Sequence, residues 1–90
     1  MPVLPPELTQ RQAGACARML VQGLRRQSEP LVVADATALV SFDSSALAVL
    51  LECRRETLHL GKAFAVKGLH PRLRELATLY GVAGLLPAAP

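Results

Sequence analysis

The stretch LVVADATALVSFDSSALAVLL, residues 31–51, is the part of the sequence that indicates the fold most clearly, because it joins a strand pattern to a helix pattern. Its first part, Leu31–Ala34, is a continuous apolar run rich in β-branched residues, which is typical of a strand covered on both faces. The strand is expected to end at Asp35, and residues 36–42 are expected to form a connection. This connection leads into the polar residues that precede the second apolar run.

A helix follows the connection, and a second strand follows that helix. The helix is predicted to begin near Ser44 and to run to about Leu60, where Gly61 suits the left-handed C′ position. Residues 62–67, KAFAVK, alternate partly between polar and apolar and indicate another strand. The strand–helix–strand order over residues 31–66 is a βαβ unit, which implies parallel pairing and a right-handed crossover.

The N-terminal third of the chain carries a weak strand and a helix. Val3–Leu4 can form at most a short edge strand, because the prolines at positions 5 and 6 cannot donate to a ladder. Thr9 and Gln12 have the spacing of a capping box, in which the Gln12 side chain reaches back to the helix start. We therefore predict a first helix over about Gln10–Arg26. Its buried face is expected to contain the apolar residues at helical spacing, Ala13, Cys16, Ala17, Leu20, Val21 and Leu24.

A third helix is predicted near the C-terminus. Pro71 suits its first position, where the missing amide has no cost, and Gly81 is expected to stop it. Ninety residues suffice for one core only, so we predict one domain over residues 1–90. The order weak strand, helix, strand, helix, strand, helix indicates an α/β domain with a small sheet.

Composition and charge argue against several classes of function. The formal net charge is +3, the basic residues are dispersed, and only Phe42, Phe64 and Tyr80 are aromatic, so a nucleic-acid partner is not expected. No apolar run approaches the roughly 20 residues that span a bilayer, and the N-terminus lacks the basic and apolar regions of a secretory signal. We expect a cytoplasmic protein without direct membrane insertion.

Neither the cysteines nor the histidines form a recognisable reactive site. Cys16 and Cys53 belong to no CxxC or Cys/His spacing and have apolar neighbours, so we interpret them as buried free thiols. His59 and His70 lack the accompanying groups of a catalytic set, and no Gly-rich phosphate loop is present. The sequence therefore predicts no catalytic residue, no metal and no cofactor.

The polar turn Asp43-Ser44-Ser45 has two interpretations that its residues leave open. Asp43 or Ser44 suits the N-cap of the second helix, with Ser45 in the first turn. The same turn lies at the carboxyl end of a predicted strand, where open α/β sheets meet ligands and partners, and a helix N-terminus favours an anion there. The turn is expected to start a helix, and it is a candidate site for partner binding or phosphorylation.

Two neighbouring features bear on a partner surface. The run Ala46–Leu51 is apolar all round the helix, so this half is either enclosed on several sides or partly an exposed contact patch. Arg72 and Arg74 lie in the first turn of the third helix, where positive charge opposes the helix dipole. Solvent exposure or an acidic partner surface would account for them. His70, just before that helix, is an N-cap or loop residue in this interpretation.

The residues VADA at 33–36, followed by FDSSALA at 42–48, resemble the DLS…DSSGL signature of STAS domains, with Ala46 in place of the glycine. The ending of the chain, from Gly68–Leu69 through Leu79–Tyr80 to residues 85–87, is similar to that of MlaB-like members of this family. The resemblance covers nearly the whole chain. It implies a small STAS-type α/β fold, with a mixed central sheet of about four short strands and three to four helices, in a protein that is not an enzyme.

The resemblance implies one of two functions for the polar turn. In MlaB-like subunits the turn and the second helix dock on the MlaF-like ATPase of an ABC phospholipid transporter, and through it reach the permease. The transporter serves outer-membrane lipid asymmetry, and the hydroxyl residue after the aspartate, here Ser44, matters for the contact. In anti-sigma factor antagonists an anti-sigma factor kinase phosphorylates the second serine, here Ser45, and binding ends. The MlaB-like ending and the compact size favour the transporter. The implied partner-binding residues are Asp43, Ser44, Ser45, Ala46, Leu47, His70, Arg72 and Arg74, with Asp35 supporting the motif.

Overall fold

The computed structural model describes all 90 residues and contains four short strands and three helices. In chain order the elements are β1 (Glu7–Leu8), α1 (Gln10–Arg25), β2 (Leu31–Asp35), β3 (Ser41–Phe42), α2 (Ser45–His59), β4 (Ala63–Lys67), α3 (Pro71–Leu79) and a 3-10 turn (Ala83–Leu85). The predicted α/β class and the three predicted helices are confirmed. None of the helices combines the length and the apolar content that crossing a bilayer requires.

The strands pair in two parallel ladders. β2 pairs with β4, in register from Leu31 opposite Ala63 to Asp35 opposite Lys67, and β1 pairs with β3. Single parallel bridges extend the first ladder on both sides, joining Val3 to Asp35 and Val66 to Ala88. α2 connects β2 to β4, so the predicted βαβ unit and its parallel pairing are present. The arrangement differs in detail from the expected mixed sheet, since every pair is parallel and no single ladder contains all four strands.

Two prolines explain why the N-terminal strand is interrupted. Val3 pairs with Asp35 only as an isolated bridge, in which the Leu4 N–H donates to the Asp35 carbonyl at 2.8 Å. Pro5 and Pro6 follow and have no N–H to continue a ladder. The Pro6 carbonyl still accepts from the Ser41 N–H at 3.0 Å, next to the point where β1 and β3 pair. The last two residues of the predicted connection 36–42 form the strand β3. The hydrophobic periodicity of the sequence did not predict this strand.

Burial differs between the two longer strands. β2 alternates, with Val32 and Ala34 buried and Val33 half-buried, so the expectation that both of its faces are covered is not met. β4 fits that description instead, because its three central residues are all buried. β4 is hydrogen-bonded along both of its edges. It pairs with β2 on one side and forms the bridge to Ala88 on the other. β2 has only the single bridge at Val3 on its outer edge, nearer the margin of the domain.

The helices cover the sheet with the faces that their spacing predicts. α1 buries Cys16, Leu20 and Leu24, and it ends at Arg25, one residue before the predicted end. At its start, the N–H and the hydroxyl of Thr9 both donate to Oε1 of Gln12, at 2.9 and 2.7 Å, so Gln12 reaches back as predicted. α1 packs beside α2, and α2 packs on β4. Nineteen buried residues from all these elements form one hydrophobic cluster.

Candidate functional site

The loops after β2 and β4 meet at one end of the domain. Both strands run in the same direction, so their carboxyl ends lie side by side, with Asp35 opposite Lys67. The approach is close at Gly68, which has a φ of 68°. A Cβ on this glycine would overlap the Thr37 hydroxyl and lie 3.1 Å from the Thr37 Cα. Glycine is therefore required at residue 68 by both its backbone conformation and its neighbour.

The Asp43 carboxylate joins the first turns of α1 and α2. Its Oδ1 accepts from the Ser45 N–H at 2.8 Å, and its Oδ2 accepts from the Gln10 N–H at 3.1 Å. These bonds, the one from Ser45 first, hold the pKa of Asp43 below its usual range, because they stabilise the charged form. Asp43 therefore stays ionised at the surface and fixes the entry into α2 relative to the start of α1.

The structure distinguishes the two serines of the turn. Asp43 supplies the side-chain cap of α2, whereas Ser44 makes no side-chain capping bond and already has helical dihedral angles of −62° and −17°. Ser44 is exposed, and Ser45 is half-buried. Of the two predicted N-cap candidates, Asp43 thus does the capping. The Ser44 side chain is exposed to solvent and does not cap the helix.

The start of α3 lies against the same turn. Nδ1 of His70 accepts from the Arg72 N–H at 3.1 Å, so His70 is the N-cap of α3, as one of its two predicted roles required. Its imidazole packs edge-on against the ring of Phe42, with centroids 5.3 Å apart and an interplanar angle of 61°. Phe42 directly precedes Asp43, so this aromatic contact joins the N-cap of α3 to the polar turn. Arg72 follows His70 by two residues and is exposed.

Three of the residues expected to bind a partner are placed elsewhere. Ala46 and Leu47 are 0% and 3% exposed and belong to the hydrophobic cluster. Arg74 is half-buried, and its guanidinium donates to the Leu86 carbonyl at 2.6 Å, which ties α3 to the C-terminal segment. The side chains of these residues therefore support the fold. Of the other residues expected to bind a partner, Asp43, Ser44 and Arg72 are exposed, whereas Ser45 and His70 are half-buried.

The apolar start of α2 is enclosed rather than exposed. Four residues of the run, Ala46, Leu47, Val49 and Leu50, are buried. Leu51 is half-buried, and only Ala48 is exposed. Ala48 lies four residues after Ser44, one turn further along the same side of the helix. It extends the exposed surface with a small side chain, and its helical spacing from Ser44 could have identified it from the sequence.

Asp35 has a local structural role at this end of the domain. Its Oδ1 accepts from the Thr37 N–H at 3.0 Å. Hydrogen bonds from the side chain and the backbone of Thr37, with a smaller contribution from Lys67, lower the pKa of Asp35. Thr37 is the residue that meets Gly68, so Asp35 orders the loop on which the close approach of the two loops depends.

The thiols and the acidic groups form no further chemical centre. No group of three or more His, Cys, Asp or Glu side chains lies close enough to hold a metal ion. Cys16 and Cys53 are free and buried, as predicted. Burial raises the pKa of both thiols, that of Cys53 to about 12, so neither ionises near neutral pH. The site therefore offers a hydroxyl, an imidazole and a guanidinium for contact with another molecule.

The parallel strands, the polar turn capped by Asp43 and the adjoining start of α3 define a STAS-type α/β domain. A family model described as "Mlab, STAS domain" matches residues 4–87, nearly the whole chain. The chain belongs to this family, the STAS domains of the MlaB type. A search of curated proteins found no match.

Proposed function

We propose that the chain is a non-enzymatic subunit that binds the ATPase of an Mla-type ABC phospholipid transporter and stabilises or regulates it. The observation that carries this proposal is the exposed Ser44 side chain, free of capping and held at the start of α2 by the bridging Asp43 carboxylate. Membership of the MlaB-type family supports the same assignment. The complex would place the chain at the cytoplasmic face of the inner membrane, without insertion of its own.

The exposed groups suit a small and specific contact. The Ser44 hydroxyl can donate and accept a hydrogen bond, and the small Ala48 side chain one turn away permits close approach. Arg72 adds a planar guanidinium that can bind a carboxylate with two parallel hydrogen bonds. The Phe42–His70 contact joins the start of α3 to the turn, and we expect a partner to contact these groups together.

A second candidate function is that of an anti-sigma factor antagonist switched at Ser45. The observation in its favour is the position of Ser45, whose N–H is bonded to Asp43. A phosphate there would add about −1.5 to −2 charges next to a carboxylate and would disrupt a small interface. Against it, Ser45 is half-buried while Ser44 is exposed. The transporter role is the better supported of the two.

Affinity purification of the tagged chain from its source cells, with mass spectrometry of the co-purifying proteins, tests the proposal. We expect an ABC ATPase together with its permease. Ser44→Glu should lose the ATPase and keep the fold, because a negative charge in a first helical turn is favourable. Ser28→Glu, in the exposed loop between α1 and β2, is the matched control and should retain it.

Two results would contradict the proposal. If Ser44→Glu co-purifies with as much ATPase as the wild type does, Ser44 is not part of the interface. Recovery of an anti-sigma factor kinase, with phosphate on Ser45, would establish the antagonist function instead.

A further inference from the structure

The solvent side of α1 carries a row of arginines that the proposed docking site does not include. Arg11, Arg18 and Arg25 follow one another at intervals of seven residues, and all three are exposed. Positions seven apart drift by only about 20° on an ideal helix, so the three lie within about 40° of one another around the axis. At about 1.5 Å per residue, the row is roughly 21 Å long. We call these three residues the arginine face.

No acidic residue offsets this charge on the helix itself. α1 reads QRQAGACARMLVQGLR, without aspartate or glutamate. Arg25 pairs with Glu56 at 3.0 Å, whereas Arg11 and Arg18 form no ion pair. The neighbouring acid, Glu52, is paired with Arg55 at 2.7 Å. Arg11 and Arg18 therefore have no ion-pair partner, and the acids nearest the start of α1, Asp43 and Glu7, are hydrogen-bonded to Gln10 and Gln12 instead.

The arginine face is continuous with the candidate site. α1 begins at Gln10, whose N–H is bonded to Asp43, so Arg11 is the next residue along from the polar turn. A partner that binds at Ser44 and extends along α1 would contact Arg11 first, and Arg18 about 10 Å further along α1.

We infer that an acidic protein surface on the proposed ATPase partner covers the arginine face, with carboxylates spaced to meet Arg11 and Arg18. This inference rests on the proposed function and specifies the chemistry of its partner. Arginine presents a flat fork that matches a carboxylate with two hydrogen bonds. The residues around Arg11 and Arg18 include Gly14 and Ala15, both exposed, which let a partner backbone come close.

A lipid surface fits α1 less well. Helices that lie in a membrane interface place large apolar side chains on the face that meets the lipid. On α1 these side chains, Leu20 and Leu24 among them, are buried in the domain. Met19 is the one large apolar side chain that α1 exposes substantially.

The test measures the dissociation constant of the purified chain for the ABC ATPase that co-purifies with it, at 50 and 500 mM NaCl. Arg18→Glu is compared with Arg54→Glu, which changes the net charge equally but lies on α2 and removes no ion pair. We expect Arg18→Glu to weaken binding about 5- to 20-fold at low salt and Arg54→Glu to stay within about twofold. The difference should nearly vanish at 500 mM NaCl, because screening then acts over a few ångströms. Thermal unfolding of both variants serves as the control for folding.

Each alternative outcome is distinct. If the wild-type chain binds no ABC ATPase, the proposed function fails and the inference with it. If Ser44→Glu abolishes binding but Arg18→Glu and Arg54→Glu bind the ATPase equally tightly, the inference alone fails. The third outcome concerns lipid binding, which is measured by co-sedimentation with vesicles. In it, the chain sediments with vesicles of phosphatidylglycerol and phosphatidylcholine but not with vesicles of phosphatidylcholine alone. If Arg18→Glu abolishes that sedimentation while ATPase binding is unaffected, the arginine face is a lipid-binding surface and the protein assignment is overturned.

Discussion

Gln10 and Asp43 are 33 positions apart in the chain, and the Gln10 N–H donates a hydrogen bond of 3.1 Å to Oδ2 of Asp43. The other carboxylate oxygen accepts from the Ser45 N–H at 2.8 Å. The first N–H groups of a helix have no partner within the helix. One side chain thus satisfies such a group in two neighbouring helices and holds Ser44 at the surface between them.

Replacement of Asp43 should therefore affect both helices. Asp43→Ala removes both acceptors and is expected to lower the midpoint of urea unfolding measured by circular dichroism. Asp43→Asn keeps one acceptor oxygen and should lie between Asp43→Ala and the wild type. Equal midpoints for Asp43→Ala and the wild type would show that the bridge contributes nothing to stability.

The two aspartates at this end of the domain should make the protein sensitive to acid. Asp35 and Asp43 both have pKa values lowered below the ordinary aspartate value in the folded state, chiefly by hydrogen bonds from Thr37 and Ser45. Between the folded and unfolded pKa values the unfolded chain binds more protons, so stability falls as the pH falls. The contribution should be complete above about pH 5 and lost as the pH falls through the folded-state values.

Urea unfolding between pH 7 and pH 3 measures this dependence. The double variant Asp35→Asn/Asp43→Asn should show a shallower loss of unfolding free energy below about pH 4.5 than the wild type. Parallel curves for the two proteins would assign the acid sensitivity to other carboxylates.

Much of the fold was predictable because it depends on local patterns. The helical spacing of Cys16, Leu20 and Leu24 predicted the buried face of α1, and Gly61 marked the end of α2. β1 and β3 were not predicted, because a strand of two residues has no periodicity to detect. Their pairing depends on backbone groups 34 positions apart, such as the Pro6 carbonyl and the Val40 N–H.

The candidate site was predictable only where it, too, depends on local sequence patterns. The turn at Asp43 and the N-cap at His70 follow from residue type and position. The bond from Gln10 to Asp43 and the contact of Phe42 with His70 join distant segments, so no local pattern could indicate them. The burial of Leu47 likewise depends on how α1 and β4 pack against α2.

The two cysteines should be unreactive in the folded protein. Both thiols are buried, and the pKa of Cys53 is raised to about 12, so almost no thiolate forms near neutral pH. A thiol reagent such as a chromogenic disulfide at pH 8 should label neither cysteine in native buffer and both in guanidinium chloride. Ser44→Cys provides the matched comparison, because its exposed position should react rapidly without denaturant. Slow labelling of this variant would contradict the exposure on which the proposed docking surface depends.

Gly68 should tolerate a side chain less well than Gly61, although both have positive φ values, 68° and 75°. An alanine at either position carries the left-handed backbone penalty, about 1–2 kcal/mol. At Gly61 nothing lies within 4 Å of the added Cβ, whereas at Gly68 the Cβ would overlap the Thr37 hydroxyl. We expect Gly68→Ala to cost about 1–3 kcal/mol more than Gly61→Ala in unfolding free energy.

A double-mutant cycle with Thr37→Ala isolates the contact from the backbone penalty. Removing the Thr37 hydroxyl relieves the overlap but leaves the Thr37 Cα 3.1 Å from the added Cβ. The cost of Gly68→Ala should therefore be smaller in the Thr37→Ala background without falling to that of Gly61→Ala. Equal costs for Gly68→Ala and Gly61→Ala in the wild-type background would mean that the two loops can separate. The close contact between Gly68 and Thr37 would then not fix the start of α3 relative to the turn. The Phe42–His70 contact alone would have to do so.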